Sequence, residues 1–186
     1  MLFRSLYNIM HTQQGFLGGF NKLGLQFGKG VVANLSPGAP SFTAGASDKA
    51  WRIVEQLLWE PEGSRWNGMA TAVYENQDGK QKWLSVGARP VYHFDDKWSL
   101  AFEVGHDRVK PQNGDTRTLT KFTIAPQLSA GPKFMSRPSL RLFYTYAKWN
   151  EAAQKAASAG DTLSATGAFG ATTHGSTYGL QVEAWW

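Results

Sequence analysis

Residues 177–186 read Thr-Tyr-Gly-Leu-Gln-Val-Glu-Ala-Trp-Trp, and the two alternating phases of this stretch differ in character. Tyr178, Leu180, Val182, Ala184 and Trp186 fall on one face of an extended strand, and Gly179, Gln181, Glu183 and Trp185 on the other. The first face is apolar with an aromatic at each extremity, which is the pattern of the lipid side of a transmembrane barrel strand. The second is polar except for Trp185. A large ring on a wetted face offers apolar surface where the neighbours offer hydrogen bonds, so Trp185 is the leading candidate for contact with a ligand.

The same alternation recurs upstream. Leu23, Leu25 and Phe27 oppose Phe20, Lys22 and Gln26, so here too one aromatic joins the polar side. Leu84, Val86, Ala88, Pro90, Tyr92 and Phe94 oppose Ser85, Gly87, Arg89 and His93. Trp98, Leu100, Phe102 and Val104 oppose Ser99, Glu103 and Asp107, and Phe122, Ile124, Pro126 and Leu128 oppose Lys121, Thr123 and Gln127. Leu140, Leu142, Tyr144 and Tyr146 oppose Arg141, Phe143 and Thr145. Residues 50–60 and 66–76 read as strands with poorer alternation. These segments predict an all-β, antiparallel meander of eight strands, with a possible ninth over residues 2–12.

Composition permits a membrane barrel and excludes its helical rival. No apolar run approaches the roughly 20 residues of a membrane helix, and mean hydropathy is negative. A barrel escapes such averaging because its apolar residues alternate with polar ones. The absence of cysteine excludes disulfides, thiolate catalysis and cysteine zinc sites. The net charge of +5 comes from scattered Lys and Arg without a run suited to nucleic acid. His11, His93, His106 and His174 are dispersed and have no metal-ligand spacing. Glu103 and Asp107 lie about 13 Å apart along a strand, too far to cooperate in glycoside hydrolysis. The chain therefore reads as a non-enzyme without metal or cofactor.

Turn signals divide the segments unevenly. Short connections are expected at residues 61–65, Asp95-Asp96-Lys97 and 131–137, and longer ones at 33–48, 110–117 and 150–176, with Asp78-Gly79 breaking the rule. Long loops outside and short turns on the periplasmic side are the outer-membrane pattern. Both Phe20 and Trp185 are then expected near the periplasmic mouth.

The stretches His11-Thr12-Gln13, Gly19-Phe20-Asn21-Lys22, Val86-Gly87-Ala88-Arg89-Pro90-Val91-Tyr92, Ser136-Arg137-Pro138, Tyr144-Thr145-Tyr146-Ala147-Lys148-Trp149 and Glu183-Ala184-Trp185-Trp186 recur in this order in one family. In these the chain resembles the C-terminal part of maltoporin-type sugar porins of Gram-negative outer membranes. The resemblance implies a homotrimer of barrels, each of about eighteen antiparallel strands, through which oligosaccharides diffuse passively along a ladder of aromatic side chains. Ladder positions map onto Phe20, Trp185 and Met135; the family commonly carries an aromatic at the last, and a methionine still offers a polarizable apolar surface. Lumen-phase Lys22, Arg89, Glu103, Asp107, Arg141, Gln181 and Glu183 are the expected hydrogen-bond partners of sugar hydroxyls. Trp186, lipid-facing and terminal, resembles the sorting signal read by the barrel-assembly machinery.

Residues 1–10 have no sustained apolar core and no small-residue cleavage site, so they do not read as a secretory signal. The expectation is one domain over residues 1–186, the C-terminal part of a larger barrel. A closed barrel of eight strands has an interior just filled by side chains, whereas several charges and two large rings call for a wider, wet pore. Two other readings stay open: a small outer-membrane barrel serving as anchor or adhesion module, and a soluble β-sandwich lectin. Ion conductance separates the first from a porin, and extraction without detergent separates the second.

Overall fold

The computed structural model describes residues 4–35 and 41–185. Nine strands form one sheet among these residues: β1 (Arg4–Phe16), β2 (Gly19–Gly30), β3 (Lys49–Trp59), β4 (Trp66–Gln77), β5 (Gln81–His93), β6 (Trp98–Pro111), β7 (Arg117–Ser129), β8 (Ser139–Trp149) and β9 (His174–Glu183). Each pairs antiparallel with the next, so spatial order equals chain order. The possible ninth strand is β1, which runs on to Phe16. Its polar His11 to Gln14 stretch hid it from alternation, and pairing with β2 fixes it across the Leu17-Gly18 hairpin. That hairpin needs positive φ at both central residues, 50° at Leu17 and 78° at Gly18. At Gly18 a Cβ would also meet the Glu60 carbonyl oxygen at 2.2 Å.

Register carries the two phases across the whole sheet. Leu25 pairs with Ile53, Ile53 with Tyr74, Tyr74 with Leu84, Phe102 with Ile124, Ile124 with Tyr144 and Tyr144 with Tyr178. Leu23, Leu25, Leu84, Val86, Leu100, Phe102, Leu140, Leu142, Leu180 and Val182 therefore share one outer surface, as their phase predicted, and most are exposed. Aromatic groups mark both margins. Trp51 lies 5.3 Å from Tyr74 on one side, while Trp66, Tyr92 and Phe94 meet in sequence at 5.1 and 5.2 Å, tilted and then edge to face, on the other. On β3 the girdle residues Trp51 and Trp59 are separated by about 27 Å of strand, commensurate with the apolar band of a membrane barrel. Glu55, halfway between them and opposite Leu23 and Ala72, is a carboxylate on this largely apolar wall, which also carries His11, His106 and Thr120.

The inner face is polar and crossed by ion pairs. It is also where the longer connections fold back. The backbone after β2 turns over it so that Val31, Val32, Ala33 and Leu35 are buried and the Val32 carbonyl rests on Gly28. Between β8 and β9 the helix α1 (Glu151–Ala156) is capped by Asn150, whose Oδ1 accepts from the Ala153 and Thr118 amides at 2.9 and 3.1 Å. Farther along that loop, Phe169 packs against Trp149 and over Gly175. This helix was not expected from a loop rich in Ala, Gly, Ser and Thr. Its cap and its anchoring to β7 supply what so short a helix lacks on its own.

On the short-turn side, Asp95 Oδ1 accepts the amide N–H groups of Trp98 and Lys97 at 2.7 and 2.8 Å. These bonds, that of Trp98 first, hold its carboxyl below the usual aspartate range. The stabilisation is complete above the unfolded aspartate value, about 3.9, and is lost as pH falls through the folded value. Asp95→Ala is expected to remove this contribution to acid sensitivity. Folded yield in detergent between about pH 5 and pH 2 should then depend less on pH than in the parent protein.

Candidate functional site

The inner wall near the short turns is built from alternate residues of the eight neighbouring strands β2 to β9. Phe20 opens β2 in the inward phase, and the Lys22 ammonium sits over its ring at 5.4 Å from the centroid. Lys22 is two residues along the same strand, so the contact follows from the pleat alone. One side of the Phe20 ring is thereby covered by a cation.

At the opposite side of the sheet, the backbone leaves β9 at Glu183 and presents Trp185, which is exposed. The Arg137 guanidinium stacks on its ring at 4.4 Å. Arg137 and Arg141 both reach Glu183 Oε2, at 2.5 and 3.1 Å, and both guanidinium side chains are more than nine-tenths buried. Burial pulls the Arg137 guanidinium below the ordinary arginine value, and the Glu183 carboxylate opposes that shift. Arg141 also donates through Nε to Gln127 Oε1 at 2.7 Å. Glu183 thus ties the last strand to β8 and to the turn before it. Arg137 had no phase to recommend it, because it lies outside any strand.

The connection at residues 130–138 is not a strand extension. It folds over the inner face, where the Phe134 amide donates to Glu60 Oε1 at 2.5 Å and Asn67 Nδ2 donates to the Pro132 carbonyl at 2.8 Å. Phe134 packs on the buried cluster of Val91, Ala101 and Ala125, while Met135 is exposed. Strand phase cannot decide between these two residues, since neither belongs to a strand. Of the pair, it is the aromatic that is seated on the wall.

The polar candidates occupy the inward register with different degrees of freedom. Arg89 and Glu103 form a pair, with Nε and Nη2 of Arg89 each 2.6 Å from Glu103 Oε2, and both side chains remain more than one-third exposed. Asp107 accepts from Trp83 Nε1 at 3.1 Å. Gln181 is exposed and donates to Glu183 Oε1 at 3.2 Å. Arg141, by contrast, is buried among its partners, so its expected contact with a passing molecule competes with Gln127 and Glu183. Trp186 lies outside the described residues.

Phe143 shares this wall. Phase already placed it beside Arg141 and Thr145, yet the ladder mapping passed over it. The signal that singled out Phe20 and Trp185, an aromatic in a polar phase, applies to it equally.

Comparison with known families decides the wider setting. The family model described as LamB porin matches residues 4–186, essentially the whole chain. The chain belongs to the LamB porin family. Members of this family are outer-membrane β-barrel channels rather than enzymes, as the resemblance implied. The nine-stranded meander with one apolar and one polar face is that of a partial barrel wall. Within the LamB porin setting the inner face is the lumen side; of the aromatics on it Trp185 is exposed, Phe20 and Phe143 are partly buried, and Trp149 is buried.

Proposed function

We propose that this chain forms the C-terminal part of a single porin barrel, over residues 1–186, through which maltodextrins or related oligosaccharides diffuse passively across the outer membrane. The observation that carries this reading is the placement of Phe20 and Trp185 on a polar wall within a LamB porin sheet. A pyranose has an apolar C–H face and a rim of hydroxyls. Rings along the wall take the face by dispersion and removal of apolar surface from water. Lys22, Arg89, Glu103, Asp107, Gln181 and Glu183 take the rim, with Arg141 holding the wall in shape. Met135 is a weaker apolar rung, and the seating of Phe134 supports that neighbour as its partner. Successive weak sites suit passage, because a sugar must leave as easily as it arrives. The lipid is met by the outer apolar wall, the complete barrel is one of three in a homotrimer, and Trp186 is the mark read by the assembly machinery.

The test is ion current through planar bilayers carrying the protein, titrated with maltodextrins of increasing length. Current should fall saturably with sugar and not with a polyol of similar size lacking a ring. Conductance without sugar block would leave a general porin and end the sugar reading. No conductance together with no sugar binding would favour the anchor barrel.

A further inference from the structure

We propose that Phe143, with the Arg89–Glu103 pair, forms a further pyranose-binding subsite on the inner wall, apart from Phe20, Met135 and Trp185. This rests on the sugar-porin reading and adds a site to it. A recess of about 180 Å³ opens on the lumen side, lined by Arg89, Glu103, Thr123, Phe143, Thr145 and Gln181, with Ala101 and Ala125 in its floor. All these residues lie in the inward phase of consecutive strands β5 to β9.

The small residues shape it. Phe143 packs against the cluster of Val91, Ala101 and Ala125 on one side, and a Cβ placed on Gly179 would come within 2.9 Å of its Cζ on the other. The ring is therefore held along the wall between β7 and β9, and what remains uncovered contributes to the recess. An aromatic held in this way loses little freedom when a flat apolar ligand face meets it.

The polar rim is chemically suited to neighbouring hydroxyls. Two of the Arg89 nitrogens engage one oxygen of Glu103, and a guanidinium carries five N–H donors while a carboxylate accepts at two oxygens. One sugar hydroxyl can donate to the carboxylate while its neighbour accepts from the guanidinium, in charge-assisted hydrogen bonds. Because both side chains are more than one-third exposed, their solvation is only partly lost already. Gln181 adds an exposed amide at the recess edge. Arg141 lines the same recess but is fixed by Gln127 and Glu183, so it supplies positive potential rather than a mobile donor.

The competing role for Phe143 is to fill space on the wall. Equilibrium binding of maltotriose to the detergent-folded protein, read by titration calorimetry and by saturation-transfer NMR, separates the two without requiring a conducting channel. Phe143→Leu keeps apolar bulk but removes the ring, and affinity should fall roughly fivefold. Phe143→Tyr should restore it. Glu103→Gln, whose side chain is more than one-third exposed and whose amide oxygen still accepts from Arg89, should weaken binding severalfold and reduce transfer to the hydroxyl-bearing carbons nearest the rim. Wild-type affinity in both Phe143→Leu and Glu103→Gln, with Trp185→Ala impaired, would overturn this subsite and leave the sugar-porin reading standing. Absence of maltotriose binding in the parent protein would overturn both.

Discussion

Glu183→Ala is expected to cost about 3 kcal/mol of folding stability, the low end of the scale for removing one partner of a buried ion pair, because the carboxylate is 29% exposed while both guanidinium groups are buried. The carboxylate serves two guanidinium groups at once: Arg137 from the β7–β8 connection and Arg141 from β8. Those side chains are only 6% and 7% exposed, so neither can recover full hydration when its partner is removed. The residue left behind would be a pair of close like charges on the lumen wall. Loss of the ion pairs would loosen the end of β9, where the stacking of Arg137 on Trp185 remains and the Gln181–Glu183 bond ties β9 only to itself. Glu183→Gln should be less severe, because the amide oxygen still accepts from a guanidinium although the charge is gone. Urea or heat unfolding of the detergent-folded proteins, read by the gel-mobility difference between folded and unfolded barrel, checks the order parent, Gln, Ala. Equal stability of parent and Ala variant would show that solvent reaches Arg137 and Arg141 more freely than their burial indicates.

Most of this wall is legible in the sequence through strand phase. Where both faces kept their character, as in Trp98 to Val104 or Tyr178 to Val182, alternation located the strand and assigned its lipid side together. Alternation weakened where the inner wall is itself apolar. On β3 and β4, inward Val54 faces Val73 and inward Leu58 faces Met69, while outward Glu55 faces Ala72. A period of two then carries little contrast, because neither face is uniform. Residues 50–60 and 66–76 were recognisable as strands from their β-branched and aromatic content, yet their sidedness came only from the register with β2 and β5.

The functional side chains divide along the same line. Phe20, Phe143 and Trp185 could be assigned to the wall from phase because they stand in, or directly continue, a regular strand. Met135 and Phe134 could not. The turn at residues 130–138 is placed by Asn67 and Glu60, which lie more than sixty residues earlier in the chain, and no local pattern encodes such a contact. Arg137 belongs to the same turn, and its stacking on Trp185 is likewise a product of tertiary arrangement. The freedom of the polar candidates was also hidden: Arg89 and Arg141 look alike in the sequence, but one is open to solvent and the other is enclosed.

In the channel, Trp185→Ala is expected to weaken sugar binding about fivefold, corresponding to about 1 kcal/mol for one aromatic contact. The stacked guanidinium bears on how the ring works. With Arg137 over one side, the indole has fewer orientations to lose when a sugar meets its exposed surface. Arg137→Met preserves much of the side chain's apolar length but removes the cation. It should reduce affinity by less than Trp185→Ala does, through looser placement of the ring, and should also lower stability because Glu183 loses a partner. Small-ion conductance should remain similar or rise slightly in Trp185→Ala, since bulk leaves the wall without any charge leaving it. Trp186→Ala should behave in the opposite manner, lowering the yield of assembled protein while sparing the affinity of channels that do assemble. Sugar-block titrations of ion current on the three variants give the affinities and conductances, and the gel-mobility difference between folded and unfolded barrel gives the stability and the assembled yield. Weakened sugar block in Trp186→Ala with normal block in Trp185→Ala would reverse the two faces of the terminal segment, and the Trp185 rung would have to be abandoned.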